Sequence, residues 1–439
     1  MTVFGIIWIM IMFYLLFKPT QYFVFALILS SIFQATSVLN IEGRAIQPFF
    51  ITEIFFIIKF LSYKKNLTHF KVDTTTKWLF LFLSVCLVSS TFYPELFGGI
   101  EVYPGNAGID DNVVYGGLPL SYSLSNLIQS IYLIVHVITF HLIYQKRKDI
   151  DTRLLWKTLI LTITVFIFIG ILQYINMVYP TIPYPSSFLY NNKISQTTTS
   201  TLLSVEDLGI NRISATFTEP SFAGVFIAAS FWALFPQKGL KYKYLCIFLF
   251  LCLIFNLSSI GIVSFLAGAL IYAFLFRRKS LIWIILSILL AYYIITQIPY
   301  LNVIFNGVLL DKLNSGSGIN RTSADIFSWN LFLKTDGLGV GLGSHRTSSF
   351  LFNMLSNIGV IGFVIWTIFI FNVLKPLIKL LDKHDALFVV IFSLVLFCGQ
   401  IAGVSELNLG IMWMWIFVAV IIKGKYVNTN TNKYSHAKV

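Results

Sequence analysis

Charged residues are scarce in this chain of 439 residues: 11% are Asp, Glu, Lys or Arg, whereas 57% are hydrophobic. A soluble protein of this length lacks the core volume to bury so much apolar surface. Apolar runs of about twenty residues recur, and each can cross a hydrocarbon layer of ~30 Å as a helix. The runs are continuous rather than alternating, which argues against a closed barrel. The sequence therefore predicts an all-α, polytopic integral membrane protein.

Cysteine is also scarce, and its positions exclude several kinds of site. The four cysteines, Cys86, Cys246, Cys252 and Cys398, all fall within apolar runs. None has a histidine at a metal-ligand spacing, so the sequence offers no metal site and implies no cofactor. We expect buried, unreactive thiols.

The hydropathy pattern fits about thirteen spans, within a range of about twelve to fourteen. They lie near residues 3–17, 20–38, 48–63, 77–93, 123–144, 155–178, 219–235, 242–256, 258–276, 280–298, 350–373, 386–403 and 407–422. The loops on one side, among them 64–77, 145–157 and the C-terminal tail, hold most of the Lys and Arg. The positive-inside rule places them in the cytoplasm and the N-terminus outside. The net charge of +13 thus points to membrane lipid and not to nucleic acid as a partner.

The chain is predicted to form a single transmembrane domain over residues 1–439 with long loops on the outer side. These loops cover about 94–122, 181–218 and 299–349, and their mixture of aromatic and polar residues favours ordered structure with short helices. The stretch "NRTSADIFSWNLFLKT" (320–335) has helical spacing, with Thr322 or Ser323 as a cap. The active face is therefore expected outside.

The stretch "RISATFTEPSFAGVF" (212–226) places charges of both signs before an apolar run. Pro220 suits a first helical turn, and Thr218 or Glu219 could cap that turn. A carboxylate at this position could instead act as a general base toward a hydroxyl, so Glu219 is a candidate catalytic residue with capping as the alternative. Gly224 would let a neighbouring helix approach closely.

Arg212, Arg321 and Arg346 precede three predicted helices on the same side of the membrane. Helix N-termini present free N–H groups, and arginine adds a planar fork that matches phosphate oxygens. Together the three arginines predict a diphosphate site at the outer surface. The alternative is local pairing, for example of Arg212 with Glu219.

Further candidates follow from the stretch "GLGVGLGSHR" (337–346). Gly341, Gly343 and Ser344 could approach a ligand closely, although a flexible hinge is the alternative. His345 could donate to a phosphate or accept a proton. Glu53, an acid near the outer end of the third span, is a possible substrate contact.

Two segments resemble motifs of bacterial O-antigen polymerases of the Wzy type. "RISATFTEPSFAG" (212–224) is similar to their Arg–x(n)–Phe–x–Glu–Pro–(Ser/Asn)–x–Ala segment. Residues 320–363 are similar to their second motif region, in which an arginine, a loop helix, Gly-x-Gly-x-Gly-Ser, a further arginine and Gly-x-x-Gly follow in order. Outside these segments only the hydropathy pattern agrees.

The resemblance implies a GT-C-like glycosyltransferase of the bacterial inner (cytoplasmic) membrane that works without a metal, with its active site in the periplasm. Such an enzyme moves a polysaccharide chain from undecaprenyl diphosphate onto the non-reducing end of a new lipid-linked repeat unit, in an inverting-type transfer. Arg212, Arg321 and Arg346 match the family's arginines, and Glu219 matches the Glu of its Glu–Pro motif. A chain-length regulator of the Wzz type is the expected partner.

Two alternatives stay open. O-antigen ligases, which transfer glycan to lipid A–core, typically carry a histidine several residues past the Gly-x-Gly motif, often as His–Asn. Here His345 directly follows Ser344 and no His–Asn follows, which favours a polymerase. A flippase or other transporter of lipid-linked oligosaccharide is the alternative of another class, although transporters tend to show internal repeats and none is visible in the sequence.

Overall fold

The computed structural model describes residues 1–41, 44–62, 72–104, 112–114, 116–192, 204–205, 210–276, 280–310 and 315–435. Parts of the predicted loops 64–77, 94–122, 181–218 and 299–349 lie outside these residues. In the described part the strands form three short antiparallel hairpins. They pair β1 (Leu39–Ile41) with β2 (Arg44–Ile46), β3 (Glu101–Val102) with β4 (Leu118–Pro119), and β5 (Ser204–Val205) with β6 (Ile210–Asn211).

Helices make up the rest of the regular structure. In chain order they are α1 (Val3–Leu16), α2 (Gln21–Ser30), α3 (Pro48–Leu61), α4 (Thr74–Leu96), α5 (Leu124–Lys146), α6 (Thr152–Val178), α7 (Ser186–Leu189), α8 (Pro220–Leu234), α9 (Leu240–Asn256), α10 (Ser259–Phe276), α11 (Ser280–Gln297), α12 (Pro299–Phe305), α13 (Gly316–Lys334), α14 (Phe350–Ile378), α15 (His384–Gly403) and α16 (Gly410–Ser435), with a π-helical turn at Asn306–Leu310.

Six of the described helices are long and apolar enough to cross a membrane, namely α4, α5, α6, α10, α14 and α15. The helices α1, α2 and α8 are apolar but shorter. The chain is therefore an all-α polytopic membrane protein, as the composition predicts.

Polar residues before the apolar runs start several of these helices. The Asp73 side chain accepts a hydrogen bond from the N–H of Thr76 at the start of α4, and Ser123 and Asn126 form a capping box at the start of α5. Such side chains satisfy N–H groups that have no partner within the helix. The helix starts thus follow from local sequence.

The connections place alternate helix ends on two sides of the bundle. At one side, called the Glu219 end, lie the start of α8 and the N-terminus of the chain, where Thr2 donates to the carbonyl of Ser37. At the opposite side, called the Asp73 end, Lys425 pairs with Asp385 at 2.7 Å and Tyr144 donates to Asp73. The segments predicted to be cytoplasmic from their positive charge meet at the Asp73 end.

Three predicted spans differ from the observed helices. The last, 407–422, corresponds to α16, which continues to Ser435. The helix α2 ends at Ser30, so the predicted span 20–38 is too long. In α14, Gly359 has φ 69° and ψ −176° and breaks the helix. The rings of Phe350 and Trp366 lie 6.5 Å apart, whereas a straight helix would separate residues sixteen apart by ~24 Å. The two halves of α14 therefore fold back on each other. The predicted span 350–373 is observed as a short helix before Gly359 followed by a longer, membrane-spanning helix.

The helix α8 lies at the centre of the bundle, where nearly all its residues are buried. A Cβ on Gly224 would lie 2.8 Å from the Cα of Gly261 in α10, so only glycine permits this approach. The close helix contact predicted at Gly224 is thus confirmed. It holds the first turns of α8, and with them Glu219, against α10.

Candidate functional site

Glu219 stands immediately before Pro220, which is the first residue of α8 as predicted. Its position is that of an N-cap, but its side chain makes no capping hydrogen bond. The Oε2 atom instead accepts from the Ser221 hydroxyl at 2.9 Å and from Nη2 of Arg321 at 3.2 Å. Glu219 therefore occupies the predicted cap position, but its carboxylate turns toward an arginine and a hydroxyl instead of capping the helix.

Asn256, the last residue of α9, fixes the backbone around Glu219. Its Nδ2 donates to the carbonyl oxygens of Ile213 at 2.7 Å and of Pro220 at 2.8 Å. The two bonds hold the segment that follows Arg212 beside the first turn of α8. Arg212, which is half-buried, therefore lies at the Glu219 end.

Arg321 lies within the loop helix and not at its N-terminus. The helix α13 begins at Gly316, and the Ser315 hydroxyl caps it by accepting from the N–H of Gly318. The predicted caps Thr322 and Ser323 are wrong, because the observed cap, Ser315, lies about two turns earlier. Arg321 therefore acts through its own guanidinium and not together with free N–H groups of a helix start.

Two arginines approach the C-terminal end of α15 and the short turn that follows it. Nη1 of Arg321 lies 3.6 Å from the point where a Cβ on Gly403 would stand. Nη2 of Arg346 lies 3.4 Å from Oε1 of Glu406. Because only two residues separate Gly403 from Glu406, the two guanidinium groups approach one turn of the chain. Their side chains are 28% and 27% exposed, which leaves room for a ligand.

The turn that carries Glu406 is fixed from several sides. Asn353 donates to the carbonyl of Ser405 at 2.6 Å, and Asn408 donates to Oε1 of Gln129 in α5 at 2.6 Å. Ser405 is buried, whereas the Glu406 side chain is 44% exposed. The turn therefore presents one carboxylate toward Arg346.

Asp325, one turn after Arg321, joins α13 to the segment that carries Arg346. Its Oδ1 accepts from the hydroxyl of Thr347 at 2.7 Å and from the hydroxyl and N–H of Ser348 at 2.8 and 3.3 Å. The Ser348 hydroxyl also lies within hydrogen-bond distance of the Arg321 carbonyl, at 3.3 Å. Asp325 thus sets the spacing between the two arginines.

His345 is buried, and both of its ring nitrogens are engaged. Nδ1 accepts from the N–H of Tyr103 at 3.1 Å, and Nε2 lies 2.7 Å from the Ser328 hydroxyl. Burial lowers the pKa of His345 to about 3, so the ring is neutral near pH 7. The geometry gives His345 a role in holding the neighbouring Arg346, whose own N–H donates to the carbonyl of Tyr103.

The alternate glycines after α13 pack against helices. Gly339, Gly341 and Gly343 all have positive φ, between 83° and 101°. A Cβ on Gly341 would lie 2.5 Å from the carbonyl oxygen of Ser89 in α4, and one on Gly343 would lie 2.9 Å from that of Ser125 in α5. The glycine segment therefore fits neither the predicted ligand contact nor the alternative of a flexible hinge. Its backbone is fixed against α4 and α5.

Ser344 and Glu53 are both buried against neighbouring helices. The Ser344 hydroxyl accepts from Nδ2 of Asn126 at 2.7 Å and is buried. Glu53 is fully buried in α3, with its Oε2 2.7 Å from Nδ1 of His136. The ring of His136 stacks on Trp413 at 4.9 Å. The structure therefore encloses both candidates in packed helix contacts.

The residues missed by sequence reasoning are Asp325, Glu406 and Asn256. Asp325 follows Arg321 at a spacing of four, which places both side chains on one face of a helix and could have indicated it. Glu406 and Asn256 lie far from the arginines in sequence and carry no local signal. Among the described residues, no group of three His, Cys, Asp or Glu side chains is placed to hold a metal ion.

At the Glu219 end the structure thus gathers carboxylates and arginines from four separate segments: 212–219, α13, the segment before α14 and the turn after α15. Each described ion pair there joins two segments that are distant in sequence. A comparison with protein-family models and a search of curated proteins find no match to this chain.

Proposed function

We propose that this chain is an O-antigen polymerase, a membrane glycosyltransferase whose substrates are oligosaccharides carried on undecaprenyl diphosphate. The observation that carries the proposal is the approach of Arg321 and Arg346 to residues 403–406, with Glu219 paired to Arg321. An arginine pair beside a carboxylate, at one end of a membrane bundle, suits a lipid-linked diphosphate.

The diphosphate of the carrier would replace carboxylates as the partner of the arginines. Both Arg–Glu pairs are partly exposed, so each contributes little, typically below about 1 kcal/mol. A phosphate group offers bidentate, charge-assisted hydrogen bonds that are stronger. Arg212, at the same end, would add a third cation. The arginines would stabilise the negative charge that develops on the leaving diphosphate.

Glu219 would act as the general base. In the proposed transfer, an acceptor hydroxyl oxygen bonds to the anomeric carbon of the growing chain, and the bond from that carbon to the diphosphate oxygen breaks. The hydroxyl proton passes to Glu219, and undecaprenyl diphosphate leaves. When the diphosphate takes Arg321, the Glu219 carboxylate becomes available to the acceptor, while Ser221 keeps it oriented.

His345 supports the polymerase over the ligase alternative. A catalytic histidine needs a ring nitrogen that can reach substrate, and the His345 nitrogens are taken by Tyr103 and Ser328. In the proposal His345 therefore positions Arg346 and does not accept the proton.

The charge asymmetry of the bundle favours the periplasm as the location of the site. Lys423 and Lys425 lie at the Asp73 end, where they contact Thr75 and Asp385. A positively charged end faces the cytoplasm of a bacterial inner membrane. The Glu219 end would then face the periplasm, where a Wzz-type regulator could also bind.

The proposal is tested with purified protein in proteoliposomes that hold a synthetic undecaprenyl-diphosphate repeat unit. We expect a ladder of longer glycans from the wild type and much slower ladder formation from Arg321→Ala. Movement of the labelled unit across the bilayer without any elongation would overturn the proposal in favour of a transporter. Transfer of a preformed glycan to added lipid A–core, again without elongation, would favour the ligase.

A further inference from the structure

The loop helix α13 presents one side to the protein. Ala324, Ser328 and Leu331 on this side are buried. Ser328 bonds to His345, and Leu331 packs with Val102, Leu120 and Val340 in a small core at the Glu219 end. The helix is therefore firmly attached to the bundle through this side.

A second side of α13 is an exposed apolar stripe. Ile319, Ile326, Trp329 and Leu333 are 50%, 57%, 42% and 54% exposed. At ~100° per residue these four positions fall within one sector of the helix, which also holds Thr322. Water is a poor environment for four large apolar side chains in one row.

A third side of α13 is polar. Ser323, Asn330 and Lys334 share this sector, and the last two are exposed. The exposed surface of the helix is thus divided into an apolar stripe and a narrower polar strip that borders it, with Lys334 farthest from the stripe. This division is typical of helices that lie in a membrane interface, and a tryptophan on the apolar side is characteristic of that depth.

The apolar stripe continues into the lipid-facing surface of the membrane helices. Near its middle, Trp329 contacts Phe352 of α14, with ring centroids 6.3 Å apart. Beyond its C-terminal end, Gly337 and Leu338 line a groove of about 200 Å³ between α4 and α14. The groove also includes Val88 and Ile361, which are about half exposed on those two helices.

We infer that α13 is an interfacial helix whose stripe of Ile319, Ile326, Trp329 and Leu333 is buried in the acyl chains of the leaflet at the Glu219 end. The occupant of the stripe is bilayer lipid. Because Arg321 and Asp325 lie on the same helix, its insertion sets the depth of Arg321 at the level of the lipid headgroups. This inference does not depend on the proposed polymerase activity.

Spin labels on the two exposed sides test the inference in the full-length protein. Cys398 is the exposed member of the four thiols, so Ile326→Cys and Lys334→Cys are each made with Cys398→Ala and labelled with a nitroxide. The proteins are reconstituted into phosphatidylethanolamine–phosphatidylglycerol vesicles without any carrier lipid. Collision of each label with oxygen and with a water-soluble nickel chelate is then measured.

We expect the oxygen-to-nickel collision ratio at position 326 to exceed that at position 334 by roughly fivefold or more, since an inserted helix face lies ~5–10 Å below the headgroup boundary. Leu333→Cys should give the same result as Ile326→Cys and serves where one variant fails to fold. Equal ratios on the two sides would overturn the inference. A difference that arises only after undecaprenyl diphosphate is added would overturn it as well, because the occupant would then be the carrier.

Discussion

Nη2 of Arg321 donates a hydrogen bond of 3.2 Å to Oε2 of Glu219, although 102 residues separate them in the sequence. The pair joins the loop helix α13 to the start of the central helix α8. Both side chains are about one quarter exposed, so a stronger anion can compete for the guanidinium. A cation and a base that hold each other until substrate arrives form the centre of the proposed site.

Removal of an arginine at the Glu219 end should slow elongation strongly. Arg321→Ala and Arg346→Ala each lose charge-assisted hydrogen bonds to the diphosphate, and we expect elongation rates to fall by roughly tenfold to a hundredfold or more. Replacing either arginine with Lys should give an intermediate elongation rate, because Lys keeps the positive charge but lacks the planar guanidinium that can bind a phosphate through two hydrogen bonds. The rate of ladder formation measures the loss.

The matched control is Arg153→Ala, which removes an exposed cation at the Asp73 end and should leave the elongation rate unchanged. Normal ladders from both site variants would refute a diphosphate role.

Glu219→Gln should slow the transfer step with little change in donor binding. The amide keeps the size of the side chain and can still accept from Ser221, but it cannot take a proton. We expect a fall of about a hundredfold or more in single-turnover elongation. Glu406→Gln changes the other paired carboxylate and should retain most of the rate. If the two variants behave alike, Glu219 has no special role as base.

Asp325 should act through the position of the arginine loop. In Asp325→Ala, the Thr347 and Ser348 hydroxyls and one N–H lose their acceptor, which costs about 2 kcal/mol and loosens the link between Arg321 and Arg346. We expect elongation to fall along with thermal stability in detergent. Asp325→Asn keeps the Oδ1 acceptor and should rescue much of both. A loss of activity in Asp325→Asn equal to that in Asp325→Ala would indicate that the charge itself matters.

The protonation of His345 should make the free energy of unfolding depend on pH. Since burial lowers its pKa from the usual 6.5 to about 3, the unfolded chain binds a proton between these values that the folded chain does not. The stabilisation is complete above about pH 6.5 and is lost as the pH falls, by on the order of 2 kcal/mol at pH 5. Thermal unfolding at pH 7 and pH 5 measures the loss. His345→Gln should reduce the pH dependence, and an unchanged slope would show that other groups cause it.

Gly359 should tolerate no side chain. Its φ of 69° is strained for other residues, and a Cβ would stand 2.4 Å from the carbonyl oxygens of Gly337 and Leu338. Gly359→Ala should therefore destabilise the fold by about 3 kcal/mol or more. Gly99 also has positive φ but open space around it, so Gly99→Ala should cost only about 1 kcal/mol. Similar unfolding temperatures for the two variants would contradict the packing at α14.

Hydropathy was sufficient to place a helix at each predicted span. Within a bilayer, the backbone N–H and C=O groups of an apolar run must form their hydrogen bonds inside the segment, and a helix does this. Hydropathy did not indicate the break at Gly359, since one glycine in an apolar run is compatible with a continuous helix. It also implied that all four cysteines are buried, which is wrong for Cys398 because that residue is exposed. Burial within the protein cannot be told from contact with lipid when both environments are apolar.

The sequence located Glu219 and the arginines as candidates, but their partners depend on tertiary structure. Glu406 meets Arg346 only because α14 and α15 bring the two loops together. The glycines at 341 and 343 looked like a ligand loop, and the close carbonyls of Ser89 and Ser125 that explain them belong to other helices. Which candidate residues lie at the site depends on contacts between segments that are distant in the sequence, and local sequence patterns do not show those contacts.

The most direct test is an experimental structure of the full-length protein with undecaprenyl diphosphate bound. We predict that the guanidinium groups of Arg212, Arg321 and Arg346 surround the diphosphate, each within ~3 Å of a phosphate oxygen. Glu219 should then have released Arg321 and face the side from which an acceptor hydroxyl arrives. A diphosphate bound away from these arginines, with the Glu219–Arg321 pair intact, would contradict the proposed site.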